Sequence, residues 1–515
     1  MTQVLIVGAG PTGLVLALWL TRLGVAVRIV DRADGPATAS RAIGVQPRTF
    51  ELHRQVGVAD AVLAGGVEVA GVNLWVGGRR VARVPLEHAG RGLTPYPSIV
   101  MLPQDEHERV LIGALEALGV AVERRTELRR FEQDGDGVRA TLARPDGGEE
   151  VCDAAYLAGC DGARSTVREA LGIGFPGGTY SRVFYVADVD VAGGRADRDI
   201  HVDLDETELF VVFPLKGDGR ARLVGTLAAD APGAGREPTF EDVSDRPMRQ
   251  LQLPVAKVNW FSAYHVHHRV ATSFRDRRAF LVGDAGHLHS PVGAQGMNTG
   301  IGDAVNLAWK LAAVLDGSAS SLLDTYESER IAFARRLVAT TDRVFTVVVR
   351  EGTVAEIVRT RLVPRIAPSL LRLRATRRTI FRRVSQIGVG YRHSALSAGA
   401  AGAVHGGDRL PWFRAGPEQD NHVPLASLAW QVHVYGPPRP GLVEACAELG
   451  LAAHAFGWSR AMRRAGLKRG ALYLVRPDGY VGLADADCDP ARLRRYVVER
   501  GVRTSTLSTA VPVAP

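Results

Sequence analysis

Short aliphatic runs and helix-like periods alternate at the start of the chain. Val4-Leu5-Ile6-Val7 reads as a strand, residues 14–23 as a helix apolar on every side and therefore buried, and residues 25–30 as a second strand. That is one βαβ unit. Residues 104–118 place Val110, Leu111, Ala114, Leu115 and Leu118 on one face, the stripe of an amphipathic helix. Asp134-Gly135-Asp136-Gly137 separates two strand-like pieces and predicts a hairpin turn.

The period changes in the middle of the chain. From about 181 to 276, strand signals at 183–186, 209–213 and 222–226 follow one another without helices, which predicts an antiparallel sheet. Strand and helix signals return at 279–345. The expected fold class is α/β, a Rossmann-like domain (1–75, 98–180 and 277–345) interrupted by an antiparallel β-sheet domain (76–97 and 181–276). A helical segment at 346–397 follows, basic through Arg372, Arg374, Arg377, Arg378, Arg382 and Arg383; it reads as a solvated helix face or, alternatively, a membrane-surface helix. Residues 398–515 form a further domain with strands at 429–435, 471–475 and 480–483, entered through a Gly/Ala-rich linker at 398–407.

Composition adds exclusions. An apolar fraction of 46% and a charged fraction of 23% describe an ordinary globular chain, and 515 residues exceed what one core usually supports. The net charge of +8 is spread along the chain with no nucleic-acid module, so no nucleic-acid partner is expected. Cys152, Cys160, Cys446 and Cys488 lack metal-ligand spacing, so no metal is expected and the thiols read as reduced. No apolar stretch reaches membrane-spanning length and no signal peptide is evident, so the expectation is a cytoplasmic protein, monomer or homodimer.

Three separated segments carry chemistry. Gly8-Ala9-Gly10-Pro11-Thr12-Gly13 lies between strand and helix, where missing side chains admit a pyrophosphate to the helix N-terminus; Asp31, at the end of the next strand, has the spacing of a ribose-binding carboxylate. Gly159-Cys160-Asp161-Gly162-Ala163-Arg164-Ser165 follows an apolar strand and opens a short helix. In the third, the strand Phe280-Leu281-Val282 delivers Asp284 to a turn, and the loop Pro291-Val292-Gly293-Ala294-Gln295-Gly296-Met297-Asn298 enters a long helix whose amides can face an electron-rich ring edge.

Together these segments resemble the class A, single-component FAD-dependent aromatic hydroxylases of the para-hydroxybenzoate hydroxylase fold, in their phenol hydroxylase and polyketide hydroxylase branch. The resemblance, motif by motif over residues 1–345, implies that Gly8, Gly10, Pro11, Thr12, Gly13, Asp31 and Arg32 hold the ADP half of FAD. It implies that Asp284 binds the ribityl chain and that Pro291, Gly293, Gly296, Met297 and Asn298 border the isoalloxazine ring. Asp161 and Arg164 fall in the segment that serves both FAD and NAD(P)H, and Arg41 and Gln104 fall beside the cofactor. Ala294 stands where such proteins commonly carry glycine. Leu474-Val475-Arg476-Pro477-Asp478-Gly479-Tyr480-Val481 resembles their C-terminal thioredoxin-like domain, without a Cys-x-x-Cys pair and hence without a redox role.

The implied reaction uses NADPH or NADH as a transient reductant. A flavin C4a-hydroperoxide formed with O2 then inserts one oxygen atom into a small phenolic or polycyclic aromatic substrate. Arg41 and Pro291 are catalytic candidates by resemblance. His265 and His267, with Tyr264 and His268, are proton-relay candidates by their clustering, against the alternative that they fill or solvate a strand. His287 and His289 lie on the cofactor loop. Epoxidation or Baeyer–Villiger oxygenation on the same scaffold, or flavin binding without turnover, are the competing readings.

Overall fold

The computed structural model describes residues 2–36, 42–87, 89–192, 197–204, 209–227, 236–290, 293–349, 365, 373–416 and 419–502. The expected βαβ unit is formed by β1 (Thr2–Val7), α1 (Pro11–Arg22) and β2 (Val27–Asp31). Leu14 to Leu20 of α1 are all buried, as a helix apolar on every side requires. Pro47–Gln55 forms α2, and the amphipathic pattern near 110 forms α3 (Gln104–Glu116), with Leu111 and Leu115 fully buried. In the first eight-stranded sheet β1 lies between β2 and β3 (Glu149–Gly159), parallel to both; Val122–Arg124 and Ala279–Leu281 extend it in parallel. The Asp134 to Gly137 turn closes the hairpin between Glu127–Gln133 and Val138–Ala143.

The second eight-stranded sheet is built mainly from antiparallel pairs, among them β4 (Gly177–Val191), β5 (Arg220–Thr226) and β6 (Val255–Val270). Gly71–Val76, expected in the nucleotide domain, pairs with Asp199–Asp203 and Arg79–Pro85 in this second sheet. Its burial alternates residue by residue, the mark of a strand with one face on a core. One face of the sheet packs Tyr185, Ala187, Phe210 and Leu223 against Met248 and Leu251. The other turns Val202, Val211 and Phe213 toward Ile43 and Met101, which flank the first sheet.

Two long helices follow, α4 (Gly296–Leu315) and α5 (Asp324–Val349), and after them α6 (Arg374–Val384). Most of the basic segment between α5 and α6 lies outside the described residues, so its expected helix is observed only at its two ends. A third, six-stranded sheet closes the chain. The stretch expected as a linker is part of it: Ala398–Ala401 pairs with Val481–Asp485 and with Val404–His405. Small residues fit there because the strand lies against neighbouring backbone; a Cβ on Gly406 would stand 2.3 Å from the nitrogen of Ala398.

This third sheet is fastened to α4 and α5 by buried charge. Glu329 of α5 accepts from Arg476 (2.7 and 3.0 Å) and Lys310 (2.9 Å), while Asp478 accepts from Arg476 and from Trp309 Nε1 (3.0 Å). Trp309 meets Trp430 edge to face, with ring centroids 5.7 Å apart. Arg409 pairs with Glu51 of α2, which burial would push up but the Arg409 charge holds at about 2.

Buried histidines, His53, His107 and His422 among them, make acid lability a property of this architecture. His53 Nε2 lies 2.8 Å from His107 Nε2 where α2 meets α3, and burial lowers His107 and His422 to about 4 and His53 well below its ordinary value. Their folded values lie below the unfolded value of about 6.5, so only the unfolded chain takes up protons as the pH falls from there toward 4. From these histidines the urea midpoint should be level between about pH 6.5 and 7.5. Below that range, stability should fall by about 1.4 kcal/mol per pH unit for each such histidine. A midpoint unchanged between pH 6.5 and 5 would contradict this account.

Candidate cofactor and substrate site

The carboxyl ends of β1, β2 and β3 converge, which is where open parallel sheets bind ligands. Gly8 N donates to Val30 O (2.8 Å) and Cys160 N to Val7 O (2.7 Å), so the three strand ends are laced together. Gly8 has φ +103°, and a Cβ on it would lie 2.4 Å from Cys160 O. A Cβ on Gly13 would lie 1.9 Å from Gly8 O. These two glycines are therefore required by the loop itself. Gly10 differs, since a Cβ there meets no protein atom within 4 Å. It opens on a cleft of about 210 Å³ lined also by Asp31, Arg32, Asp161, Arg164 and Thr126.

The carboxylate of Asp31 is fixed by the N–H groups of Ala9 (2.6 Å) and Ala33 (2.8 Å). Asp161 accepts from Val167 N (3.1 Å) through Oδ2, while Oδ1 is buried without a partner. Burial pushes its carboxyl up. Arg32 and Arg164 are exposed at the cleft mouth. Pro11 opens α1 without a donor, leaving the N–H groups of Thr12 and Gly13 free of intrahelical acceptors. Residues expected at one diphosphate nucleotide are thus brought to one cleft. Thr12 also holds α1 against α4, its side chain packing between Gly283 and Gly300.

Asp284 sits in the turn Gly283–Ala285 with its side chain exposed. The turn is held from behind by Asp303 of α4, which accepts from Gly283 N (3.1 Å) and lies 2.6 Å from His287 Nε2 and 2.5 Å from Arg330 Nε. The start of α4 is held as firmly. Asn298 donates to Gly44 O and Ala294 O and accepts from Gln46 N and Thr49 Oγ1, at 2.7–2.9 Å. Its amide group is saturated, so its side chain shapes the loop. Its backbone N–H, with those of Gly296 and Met297, is what the helix start presents. Ala294 adopts φ +50°, keeping the left-handed conformation for which glycine is favoured. Gln104 donates to Glu108 (2.9 Å), and its N–H bonds Ala42 O (3.2 Å), tying α3 to the segment beside Arg41. Arg41 and Pro291 lie outside the described residues.

The sheet face turned toward this loop carries Phe213, Arg222, Asp188 and Trp260, which register places in one row. Arg222 is fully buried, forked onto Asp188 (2.6 and 2.8 Å), and donates to Ala42 O (3.1 Å). Alternation along β6 sends Tyr264 and His268 to the Trp260 face and His265 and His267 to the opposite one. The four-residue cluster is thereby split: His265 is exposed, and His267 bonds Thr179 (2.7 Å). His268 Nδ1 is buried without a partner, near the strand that leads into the cofactor loop. His289 is held at about 4 by burial.

Sequence reasoning named His287 on this loop but missed its partners Asp303 and Arg330, and the Arg222 fork. Each left a signal: Asp303, Asn306 and Lys310 make a polar stripe in an otherwise apolar helix, and Arg222 interrupts an apolar strand. Among the described residues no cluster suited to a metal ion is present, and no helix is long and apolar enough to cross a membrane.

Comparison with known proteins adds independent findings. The family described as FAD binding domain matches residues 1–341. The 6-methylpretetramide 4-monooxygenase of Streptomyces rimosus is 42% identical over 361 residues, covering 69% of this chain and 64% of that protein. A flavin-dependent monooxygenase of Mycobacteroides abscessus is 32% identical over 498 residues, 93% of this chain and 96% of the other. The solved structure of the anhydrotetracycline hydroxylase OxyS from Streptomyces rimosus matches with a TM-score of 0.77 at 29% identity, covering 96% of this chain and 98% of that one. The chain thus spans just under two thirds of the first relative and nearly all of the other two.

Proposed function

The chain belongs to the FAD-binding-domain family of flavoproteins, and we propose that it is an NAD(P)H-consuming monooxygenase that hydroxylates a phenolic or polycyclic aromatic substrate with one atom of O2. The observation that carries this reading is the single cleft that joins Gly10, Asp31, Asp161 and Arg164, followed by the Asp284 turn and the α4 start beneath an apolar and aromatic sheet face. FAD fits these residues: the space beside Gly10, the unpartnered Asp161 Oδ1 and the exposed Asp284 carboxylate match a phosphate, a polar ribose region and a polyol. When bound, the flavin supplies reduction by NAD(P)H and activation of O2.

The protein positions and protects. The free amides of α1 face the diphosphate, Asp31 accepts from ribose hydroxyls, and the positive end of α4 favours electron density at the ring edge. Phe213, Trp260 and their neighbours offer an aromatic ring a water-excluding wall. A phenol attacks more readily once its proton is lost; this reading assigns that role to His268, on the inner face with Tyr264, rather than to His265 and His267 on the outer face. Arg41 and Pro291 retain the roles the family resemblance implies. The third sheet, with its order of strand, helix, strand, helix and a closing hairpin and helix, is assigned as thioredoxin-like. Cys446 and Cys488 within it are buried, with thiols pushed up by burial, and serve packing.

Substrate-stimulated oxidation of NADPH or NADH, with one labelled oxygen atom from O2 in the product, is the expected result across a phenolic and polycyclic panel. Oxidation that yields only peroxide with every compound would refute the reading. Asp284→Ala should weaken FAD about tenfold or more by removing a charged acceptor. An unchanged dissociation constant, read by flavin fluorescence, would free Asp284 of that role.

A further inference from the structure

We propose that an arginine-rimmed cleft between α6, the 91–93 loop and the third sheet binds a nucleotide bearing several phosphate charges, with NADPH as its occupant; the choice of NADPH rests on the function proposed above. The cleft holds about 1020 Å³, at the upper end of small-ligand sites. Arg91, Arg378, Arg382, Arg414 and Arg464 line it, all exposed and none paired with a carboxylate among the described residues. The other two lining arginines are already neutralised, Arg392 by Asp408 (2.7 Å) and Arg409 by Glu51. Asp408 is the one carboxylate in the lining among the described residues.

Five cations around one cleft repel one another unless an anion joins them. A single carboxylate is satisfied by one guanidinium fork, so a set spread over four chain segments suits distributed charge, as in a diphosphate with a further 2′-phosphate. Trp412, Phe413 and Ile387, all buried, give the cleft an apolar floor beneath the arginine rim. Ile387 also connects the cleft to the flavin loop. The preceding residue, Gln386, donates to Thr299 Oγ1 (3.0 Å) and Gln295 O (3.3 Å) at the start of α4. These bonds tie one wall of the cleft to the loop that the family resemblance places at the isoalloxazine ring.

Calorimetric titration of the FAD holoenzyme with NADP⁺, NAD⁺, ADP and inorganic pyrophosphate tests the assignment in wild type, Arg382→Ala, Arg414→Ala and the double variant. NADP⁺ should bind more tightly than NAD⁺, compete with ADP and pyrophosphate, and weaken roughly tenfold per arginine removed. The KM for NADPH should rise in parallel, with kcat at saturation and flavin absorbance unchanged. Wild-type NADP⁺ affinity in the double variant at full flavin occupancy would overturn the proposal. So would a rise confined to the KM of the aromatic substrate, or binding of ADP and pyrophosphate without NADP⁺. Failure of the monooxygenase reading has a different signature: no oxygenated product from a wild-type enzyme that still binds NADP⁺ through these arginines.

Discussion

Glu329→Ala should cost about 3–5 kcal/mol of stability, because it leaves buried Lys310 without a carboxylate and Arg476 with Asp478 alone. Lys310 shows the strain of the site even in the intact protein: burial lowers its ammonium to about 8, with Glu329 opposing the shift. Burial would push Glu329 up as well, but Arg476 and Lys310 hold it well below the usual carboxylate range. Its depressed folded value means that the stabilisation is present above the ordinary carboxylate range and fades as the pH falls through the folded value. The deficit of the variant should therefore be largest at neutral pH and shrink in acid. Urea denaturation followed by circular dichroism checks it, and a loss under about 1 kcal/mol at pH 7 would show the network to be dispensable. Glu329→Gln, which keeps the shape and one acceptor, should fall between the two.

Gly13→Ala and Gly10→Ala should both abolish tight FAD binding, for different reasons. At Gly13 the new methyl meets Gly8 O at 1.9 Å, so the loop must deform and α1 must shift against its neighbours. At Gly10 no protein atom is in the way, so a methyl there obstructs only the cofactor. Losses of roughly 100-fold or more in FAD affinity, about 2.7 kcal/mol, are expected for each. Only Gly13→Ala should also lower the urea midpoint of the apoprotein. Wild-type FAD affinity in Gly10→Ala would remove the diphosphate from this loop.

Elements whose burial is one-sided or complete were legible in the chain: β1, α1, β2 and α3 each carry a period that only one element satisfies. The stretch at 398–407 was not, because glycine and alanine look alike in a linker and in a strand packed closely against other backbone. The glycine loop, Asp31 and Asp161 could be read as a site because each contributes a backbone or carboxylate group at a strand end. The division of β6 could not. Clustering in sequence places Tyr264, His265, His267 and His268 together, whereas the pleat separates them by parity, and which parity faces inward is decided by Ile43 and Met101, far away in sequence. Charged residues such as Glu329 and Arg476 read as surface until their partners are known.

The fastening between α2, α5 and the third sheet bears on how such chains can be recombined. Arg48 reaches the carbonyl of Asp478 (2.5 Å), and Gln55 reaches those of Leu425 and Pro477 (3.1 and 3.0 Å), in addition to the Glu51 and Glu329 pairs. A hybrid that joins the first 345 residues to another protein's tail must match each of these partners or leave a charge stranded in its interior. The boundary that looks modular in sequence is therefore a lock between two halves, and a foreign tail is accepted only with its key residues at Arg409, Arg476 and Asp478 intact.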